Sequence, residues 1–135
     1  MVVGLGTDLA EISRVARSIE RFGERFLERI YTSGEIEYCM RKKGFAESFA
    51  ARFAAKEAGA KALGTGISRG VSWQEFEVSR AANGKPSLVL HGRAAELAAA
   101  RGITRISLSL THSRETAMAV VVMEGVDVAT EVGRS

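Results

Sequence analysis

The chain has 135 residues, of which 46% are hydrophobic and 26% are charged, with a formal net charge of +3. These values fit one globular domain with one core, which we place at residues 1–124, followed by a loose tail at 125–135. No apolar run reaches the roughly 20 residues needed to cross a bilayer, and the N-terminus lacks a signal-peptide pattern, so we expect a cytoplasmic protein. The positive charge favours an anionic partner.

Cys39 is the single cysteine of the chain. One cysteine excludes a disulfide framework within the chain and a cysteine cluster for zinc. A lone cysteine most often packs as a small hydrophobic residue. We therefore expect Cys39 to be buried and to take no part in catalysis.

The middle of the chain predicts one long helix that ends at a pair of glycines. Alanines are dense here, and phenylalanines recur at steps of four residues: Phe45, Phe49 and Phe53. This spacing is typical of an amphipathic helix, and Gly64 and Gly66 predict its end. Arg52 and Lys56 lie opposite the phenylalanines on a helical wheel, which predicts that both face solvent.

Glu57 and Lys61 of this helix lie roughly 40° apart, on the flank of the phenylalanine stripe. This position suggests partly buried charges that face a cleft, although an ordinary pair on the helix surface is the alternative. The segment Gly64-Thr65-Gly66 follows, and it is either a phosphate-binding loop of bare backbone N–H groups or a glycine helix cap.

The N-terminal segment Met1–Gly6 is apolar and rich in valine, which predicts a buried strand with Asp8 at its end. The alternative is that Thr7 or Asp8 caps the next helix, because Glu11 stands three residues after Asp8 as in a capping box.

A helical period follows from Leu9 to about Ile30. Its apolar side is formed by Ile12, Val15, Ile19, Phe22, Phe26 and Ile30, and its opposite side by Arg14, Arg17, Arg21, Arg25 and Arg29. Guanidinium groups bind carboxylates and phosphates through two hydrogen bonds, so the arginines favour an anionic partner. Interleaved glutamates also allow a solvated helix with ion pairs along it, and Gly23 can divide the helix in two.

The remainder alternates helices and strands. We predict a turn at 32–35, helices at 35–43 and 92–102, a hairpin of strands 71–79 and 87–90, and a second hairpin of strands 106–110 and 116–123. The segment Asn83-Gly84-Lys85-Pro86 forms the first turn, and the second carries His112. A turn histidine is either a surface residue or a phosphate contact or acid–base group.

The chain has no nucleophile elbow, P-loop, dinucleotide fingerprint or zinc spacing. What remains is the carboxylates of Asp8 and Glu57, the ammonium of Lys61 and the imidazole of His112. One or two carboxylates together with substrate phosphates and water suit Mg²⁺. A lysine beside them suits the stabilisation of a leaving phosphate.

Several motifs, in this order, resemble those of holo-[acyl-carrier-protein] synthase, the small bacterial class of 4′-phosphopantetheinyl transferases. The motifs are Gly6-Thr7-Asp8 with Arg14, Arg52-Phe53-Ala54-Ala55-Lys56-Glu57-Ala58, Lys61-Ala62-Leu63-Gly64-Thr65-Gly66, Asn83-Gly84-Lys85-Pro86 and Ser109-Leu110-Thr111-His112-Ser113. Together they span about residues 1–124. Ser113 departs from the pattern, since some relatives have an acidic residue there.

The resemblance implies transfer of phosphopantetheine from coenzyme A to a serine of an apo acyl carrier protein in fatty acid biosynthesis, with release of adenosine 3′,5′-bisphosphate. It also implies an α+β fold of antiparallel strands with a long central helix. The family assembles as a homotrimer with active sites at the subunit boundaries, so we expect the same here.

The resemblance assigns roles to individual residues. Asp8 and Glu57 would hold Mg²⁺, and Glu57, Lys61 and His112 would be catalytic. The nucleotide would be held by Lys61, Gly64, Thr65, Gly66, Pro86 and His112. The carrier protein would contact Arg14, Arg17, Arg21 and Arg25, with Phe22 or Phe26 as apolar contacts. Glu57, a metal-bound water or His112 could accept the serine proton.

Two other functions fit parts of the sequence. A basic anion- or nucleic-acid-binding module without catalysis would explain the arginines, but no stacking aromatics are interleaved with them and the two carboxylates would have no role. A trimer that binds nucleotides without catalysis would keep the fold and lose turnover.

Overall fold

A long alanine-rich helix lies at the centre of the fold, and the computed structural model describes residues 1–126 around it. In chain order the elements are β1 (Val2–Glu11), α1 (Ile12–Phe22), α2 (Glu24–Ile30), α3 (Ser33–Met40), α4 (Phe45–Leu63), a 3-10 turn (Trp73–Glu75), β2 (Phe76–Arg80), β3 (Pro86–Leu90), α5 (Gly92–Ala100), β4 (Ile103–His112) and β5 (Thr116–Gly125). The predicted tail begins within β5, and 127–135 lies outside the described residues.

The strands form two antiparallel sheets, which confirms the predicted α+β class. The larger sheet has the order β1-β5-β4, and the smaller one is the hairpin β2-β3. Both predicted hairpins are confirmed. The inner face of β5 packs towards the central helix through the fully buried side chains of Ala117, Ala119, Val121 and Met123.

The helix α4 is covered on nearly every side, because strands and helices pack around it in all directions. Buried alanines such as Ala54 and Ala58 allow these neighbours to approach its backbone closely. The prediction that Arg52 and Lys56 face solvent is therefore wrong: the two residues are 2% and 0% exposed. A helical wheel assumes that a helix has one buried face and one solvated face. Helix α4 has no such broad solvated face, because its neighbours cover it on nearly every side.

Lys56 is accommodated by a fully buried ion pair. Its Nζ lies 2.7 Å from Glu35 Oε1 and donates a second hydrogen bond of 2.7 Å to the carbonyl oxygen of Phe76. Burial lowers the pKa of Lys56, and the neighbouring Glu35 carboxylate opposes that change. The pair joins α3, α4 and the start of β2.

Strand β1 lies directly on the backbone of α4. A Cβ atom added at Gly6 would lie 1.9 Å from the carbonyl oxygen of Ala58, and one at Gly4 would lie 2.1 Å from that of Ala62. No side chain fits at either distance, so only glycine permits this approach. The two glycines thereby fix how far Asp8 stands from the helix.

The N-terminal expectations need correction. Strand β1 continues to Glu11, so Asp8 lies within the strand, opposite Ala119, rather than at its end. Helix α1 begins at Ile12, and neither Thr7 nor Asp8 caps it. The continuous pairing of β1 with β5 keeps this segment extended beyond the point where the helical pattern starts.

Other boundaries also differ from the predictions. Gly23, with φ of 55°, separates α1 from α2, as the sequence allowed. The predicted strand at 71–79 begins only at Phe76, because Trp73–Glu75 forms a 3-10 turn. Helix α3 starts at Ser33, where Thr32 and Glu35 form a capping box, and it ends at Met40.

The structure also bears on the predictions for Cys39 and for membrane-spanning segments. Cys39 is fully buried, as predicted, and burial raises the pKa of its thiol to about 11. Within residues 1–126, no helix has both the length and the apolar character needed to cross a membrane.

Candidate active site

Asp8, Glu57 and Lys61 meet where β1 crosses the central helix. Lys61 Nζ donates to Asp8 Oδ1 at 3.0 Å and to the carbonyl oxygen of Thr7 at 3.3 Å. The Asp8 side chain is 16% exposed and that of Lys61 is 53% exposed. The carboxylate is thus held in the wall of the site, while the ammonium group faces the open side.

Glu57 lies beside Asp8, and this neighbour changes the pKa of the Glu57 carboxyl group. The pKa of Glu57 is raised to about 7, first by burial and then by the hydrogen bond and negative charge of Asp8, whereas Lys61 lowers it. Two ionised carboxylates this close repel each other, and the Lys61 ammonium offsets only part of that repulsion at Glu57. The structure therefore brings together the carboxylates that the sequence singled out.

The two carboxylates open into a surface cleft of about 560 Å³. Its other lining residues come from β1, α1, α2, α4 and β5, and include Glu11, Arg14, Ser18, Phe26, Phe53 and Thr116. The cleft thus has an acidic end at Asp8 and Glu57, and the arginine-bearing helix α1 forms one of its walls.

The donor set at the acidic end fits Mg²⁺. Within residues 1–126, no cluster of three or more histidine, cysteine, aspartate or glutamate side chains could hold a metal ion. Mg²⁺ does not require such a cluster, because it keeps several waters and binds through one or two carboxylates plus substrate phosphates. Asp8 and Glu57 supply two such carboxylates, and both line this end of the cleft.

The glycine loop after α4 is a helix cap. Gly64 has φ of 90°, and the backbone N–H groups of Gly64, Thr65 and Gly66 all donate to the carbonyl oxygen of Ala60. Of the two alternatives for this loop, the glycine helix cap is confirmed, and its N–H groups are not bare because the cap uses them. A role of this loop in nucleotide binding stays a prediction.

His112 ends β4 and lies at the other end of the central helix. Its Nε2 is 3.9 Å from Glu47 Oε2, and its Nδ1 is 3.2 Å from the carbonyl oxygen of Ser113. That carbonyl can accept a hydrogen bond from Nδ1, so the backbone of Ser113 orients the ring without an acidic side chain at this position.

A second cleft, of about 200 Å³, surrounds His112. Its lining residues include Glu47, Ser48, Arg52, Arg80 and Thr111. Pro86 lies directly opposite Arg80 in the β2-β3 hairpin, so the predicted nucleotide contact at Pro86 belongs to this end of the molecule. Arg52 and Arg80 line this cleft, but neither was predicted from the sequence as a site residue.

Arg52 is the most unusual group in the second cleft. The residue is 2% exposed, and within residues 1–126 its Nε has no hydrogen-bond partner, while one terminal nitrogen donates to the carbonyl oxygen of Ser48 at 3.3 Å. A buried guanidinium with free donors suits an incoming anion. A signal was available in the sequence, because Arg52 belongs to the same motif as Glu57.

One chain does not bring its two clefts together. Arg52 and Lys61 are nine residues apart on α4, which corresponds to about 13.5 Å along the axis and to opposite sides of the helix. The predicted nucleotide contacts therefore fall into two groups: Lys61 lies with the carboxylates, while Pro86 and His112 lie with Arg52.

The arginine stripe is exposed on α1 and α2. All five side chains point to solvent, at Arg14, Arg17, Arg21, Arg25 and Arg29. A groove of about 560 Å³ runs between them and the core, lined by Phe22, Phe26, Phe53 and Trp73. Phe22 was predicted on the buried side, but it is 51% exposed, because the break at Gly23 ends the helix beside it.

Comparison with known proteins identifies relatives along most of the chain. The sequence pattern of the 4′-phosphopantetheinyl transferase superfamily matches residues 4–121. A holo-[acyl-carrier-protein] synthase of Solibacter usitatus is 56% identical over 124 residues, which cover 92% of this chain and 99% of that protein.

Solved structures agree with the sequence comparison. The holo-[acyl-carrier-protein] synthase of Neisseria meningitidis superimposes with a TM-score of 0.83 at 38% identity, over 92% of this chain and 99% of that one. A Bacillus anthracis structure, in complex with CoA (3′,5′-ADP), gives a TM-score of 0.76 at 38% identity, over 93% and 99% of the two chains. This chain belongs to the 4′-phosphopantetheinyl transferase superfamily, among the holo-[acyl-carrier-protein] synthases.

Proposed function

We propose that this protein transfers 4′-phosphopantetheine from coenzyme A to a serine hydroxyl of an apo acyl carrier protein and releases adenosine 3′,5′-bisphosphate. The observation that carries the proposal is the meeting of Asp8, Glu57 and Lys61 in one cleft beside an arginine-bearing helix. Membership of the family supports the same reaction.

The reaction needs little covalent chemistry from the protein. The serine oxygen forms a bond to the phosphorus that carries pantetheine, and the bond from that phosphorus to the bridging oxygen breaks. Negative charge then grows on the leaving bisphosphate. Lys61, whose ammonium group stands at the open side of the cleft, neutralises this charge, and its hydrogen bond to Asp8 keeps it in place.

Asp8 and Glu57 hold Mg²⁺ in this proposal. A bound ion would supply the positive charge that lets a pyrophosphate approach two carboxylates. The carboxylates themselves are positioned by the protein: the strand pairing of β1 sets Asp8, and α4 sets Glu57.

Glu57 is also the best placed acceptor for the serine proton. Its carboxylate lines the reaction cleft, and a general base must lie there to reach the serine hydroxyl. His112 cannot serve in the same chain's cleft, because it lies near Glu47, towards the opposite end of α4.

The second cleft is suited to the 3′-phosphate of coenzyme A. Arg52, Arg80 and His112 offer cationic or hydrogen-bonding groups around a small space, with only Glu47 as an opposing charge at its edge. The pyrophosphate and the 3′-phosphate are joined through a single ribose, so one coenzyme A cannot reach both clefts of the same chain. In this proposal, the two clefts that bind one coenzyme A therefore come from neighbouring chains.

A homotrimer would bring them together. The outer face of the larger sheet is apolar and uncovered: Leu5 and Leu9 are 65% and 63% exposed and lie opposite Val122 and Met118. Residues that pair across strands share a face, so these four form one continuous patch. A second and third copy of this chain would cover it, and sedimentation equilibrium that gives a monomer mass would contradict this part of the proposal.

The arginine stripe is the docking surface for the carrier protein. Its exposed guanidinium groups favour an acidic helix, and Phe22 beside them offers an apolar contact. Charge complementarity of this kind sets encounter rate and orientation. The stripe borders the reaction cleft through Arg14, so a docked carrier would present its serine there.

Intact-mass analysis tests the reaction directly. An apo acyl carrier protein incubated with this protein, coenzyme A and Mg²⁺ gains the mass of phosphopantetheine, and the gain is lost with Glu57→Gln. Glu96→Gln, an exposed change on α5, keeps the activity. No gain with several carrier proteins, together with salt-sensitive binding to random DNA, would instead support a nucleic-acid-binding module. A cytoplasmic location stays a prediction from the sequence.

A further inference from the structure

The aromatic ring of Tyr38 is surrounded by three cations. The Cζ atoms of Arg52 and Arg80 lie 4.5 and 5.0 Å from the ring centroid, and Lys42 Nζ lies 4.8 Å from it. Each distance falls within the range of a cation–π interaction, which holds a cation against the negative face of a ring. Tyr38 belongs to α3 and does not line the second cleft, but its ring contacts two arginines that do, Arg52 and Arg80.

None of the three cations forms a salt bridge within residues 1–126. The contrast with Lys56, one helical turn further along α4, is direct, because Lys56 is neutralised by the Glu35 carboxylate. Arg52 is equally buried, yet it faces an aromatic ring and retains an unpartnered Nε. A buried charge normally requires a partner, so the ring must take that place.

We propose that Tyr38 is a positioning residue for the 3′-phosphate of coenzyme A. Its ring holds the Arg52 guanidinium at the cleft without neutralising it and without using its N–H donors. A carboxylate in the same place would neutralise the guanidinium and accept its hydrogen bonds. The phosphate would then have to displace that carboxylate. The inference rests on the proposed function, because it assumes that the second cleft binds this phosphate.

The test compares coenzyme A with 3′-dephospho-coenzyme A, which lacks the group in question. KM for each is measured at saturating apo acyl carrier protein for the unchanged protein, Tyr38→Leu, Tyr38→Phe and Arg52→Met. We expect Tyr38→Leu to raise KM for coenzyme A by roughly tenfold and to leave KM for the dephospho compound unchanged. Tyr38→Phe keeps the ring, so both values stay within about twofold.

The outcomes distinguish the role of Tyr38 from the binding of the 3′-phosphate by the second cleft. If Arg52→Met raises KM for coenzyme A alone but Tyr38→Leu does not, the cleft binds the phosphate and the role of Tyr38 is overturned. If Arg52→Met leaves the preference for coenzyme A unchanged, the cleft does not bind the 3′-phosphate. If Tyr38→Leu raises both KM values equally, Tyr38 serves only the fold, and the inference fails.

An isosteric replacement covers the case in which Tyr38→Leu does not fold. Pentafluorophenylalanine at this position keeps the shape of the ring but removes its negative face. The inference requires the same selective rise in KM for coenzyme A. A normal KM with this ring would show that packing, rather than the cation–π interaction, holds Arg52.

Discussion

Lys56 Nζ and Glu35 Oε1 lie 2.7 Å apart, and both side chains are fully buried. The pair is connected to the backbone on each side, because Glu35 Oε2 accepts the N–H of Val78 and Lys56 donates to the carbonyl oxygen of Phe76. Lys56→Met would leave the Glu35 carboxylate buried without a counterion. We expect the free energy of unfolding, measured in urea, to fall by about 3–5 kcal/mol.

An exposed ion pair at helix α3 provides the control. Arg41 and Glu37 form an ion pair whose side chains are 70% and 68% exposed. Arg41→Met should change the free energy of unfolding by at most about 1 kcal/mol, because water screens the pair. Equal losses for the two methionine variants would mean that the buried pair contributes no more than a surface one.

The close approach of β1 to α4 gives a second prediction. In Gly6→Ala the new Cβ would meet the carbonyl oxygen of Ala58 at 1.9 Å, so the strand must move away from the helix. We expect a loss of about 1–3 kcal/mol in stability. Asp8 moves with the strand, so the transfer rate should fall by roughly a hundredfold.

Gly34→Ala is the matched control for this change. Its added Cβ would lie 3.7 Å from Glu77, which is an ordinary contact. Urea unfolding and the transfer assay should both stay close to the values of the unchanged protein. A Gly6→Ala protein that keeps full activity would show that Asp8 does not need its present distance from the helix.

The carboxyl pair predicts a particular dependence of stability on pH. In the folded, metal-free protein the pKa of Glu57 is about 7, compared with its usual 4.5. Between these pH values the folded state binds one proton more than the unfolded state, so this contribution to stability falls as the pH rises through the window. Thermal melting in the presence of a chelator measures the effect.

Glu57→Gln isolates this contribution, since it lacks the titrating group. The Tm of the unchanged protein should decline relative to that of Glu57→Gln from about pH 4.5 to about pH 7. Added Mg²⁺ should reverse the decline, because the ion binds the ionised carboxylates. Parallel curves for the two proteins would indicate that Glu57 titrates normally.

The arginine stripe predicts a selective effect on the carrier protein. Arg14→Glu or Arg21→Glu places a negative charge opposite an acidic helix, and such like-charge contacts cost enough to raise KM for the carrier by at least roughly tenfold. KM for coenzyme A should not change. Arg93→Glu, exposed on α5, reverses an equal charge away from the stripe and should affect neither constant. Unchanged kinetics in all three variants would remove the stripe from the mechanism.

The sequence predicted the central helix and both hairpins well, because alanine density, strand alternation and Asn83-Gly84 are local signals. The positions of Arg52 and Lys56 could not be predicted in the same way. A helical wheel can identify the solvated face only of a helix that has one. Helix α4 is instead surrounded by strands and helices, so the wheel could not show that both side chains are buried.

The candidate site depends on a relationship that no local pattern contains. Asp8 and Glu57 meet because Gly4 and Gly6 let β1 lie on α4 and because pairing with β5 fixes the register of the strand. Sequence spacing gives neither quantity, so the residue pattern could name Asp8 and Glu57 as candidates but could not predict that they lie side by side. The N–H groups of the glycine loop likewise donate to one carbonyl oxygen, that of Ala60, and this acceptor is in place only once the helix has folded.

The central helix points its two sets of functional groups in different directions, so in the proposed trimer every chain serves two sites. Two kinds of defective subunit could then restore activity to each other within one trimer. Chains with Glu57→Gln and chains with Arg52→Met, assembled into mixed trimers, would create some sites with two intact halves, and transfer at low coenzyme A concentration would exceed that of either variant alone. Chains with both changes would gain nothing from mixing with one another.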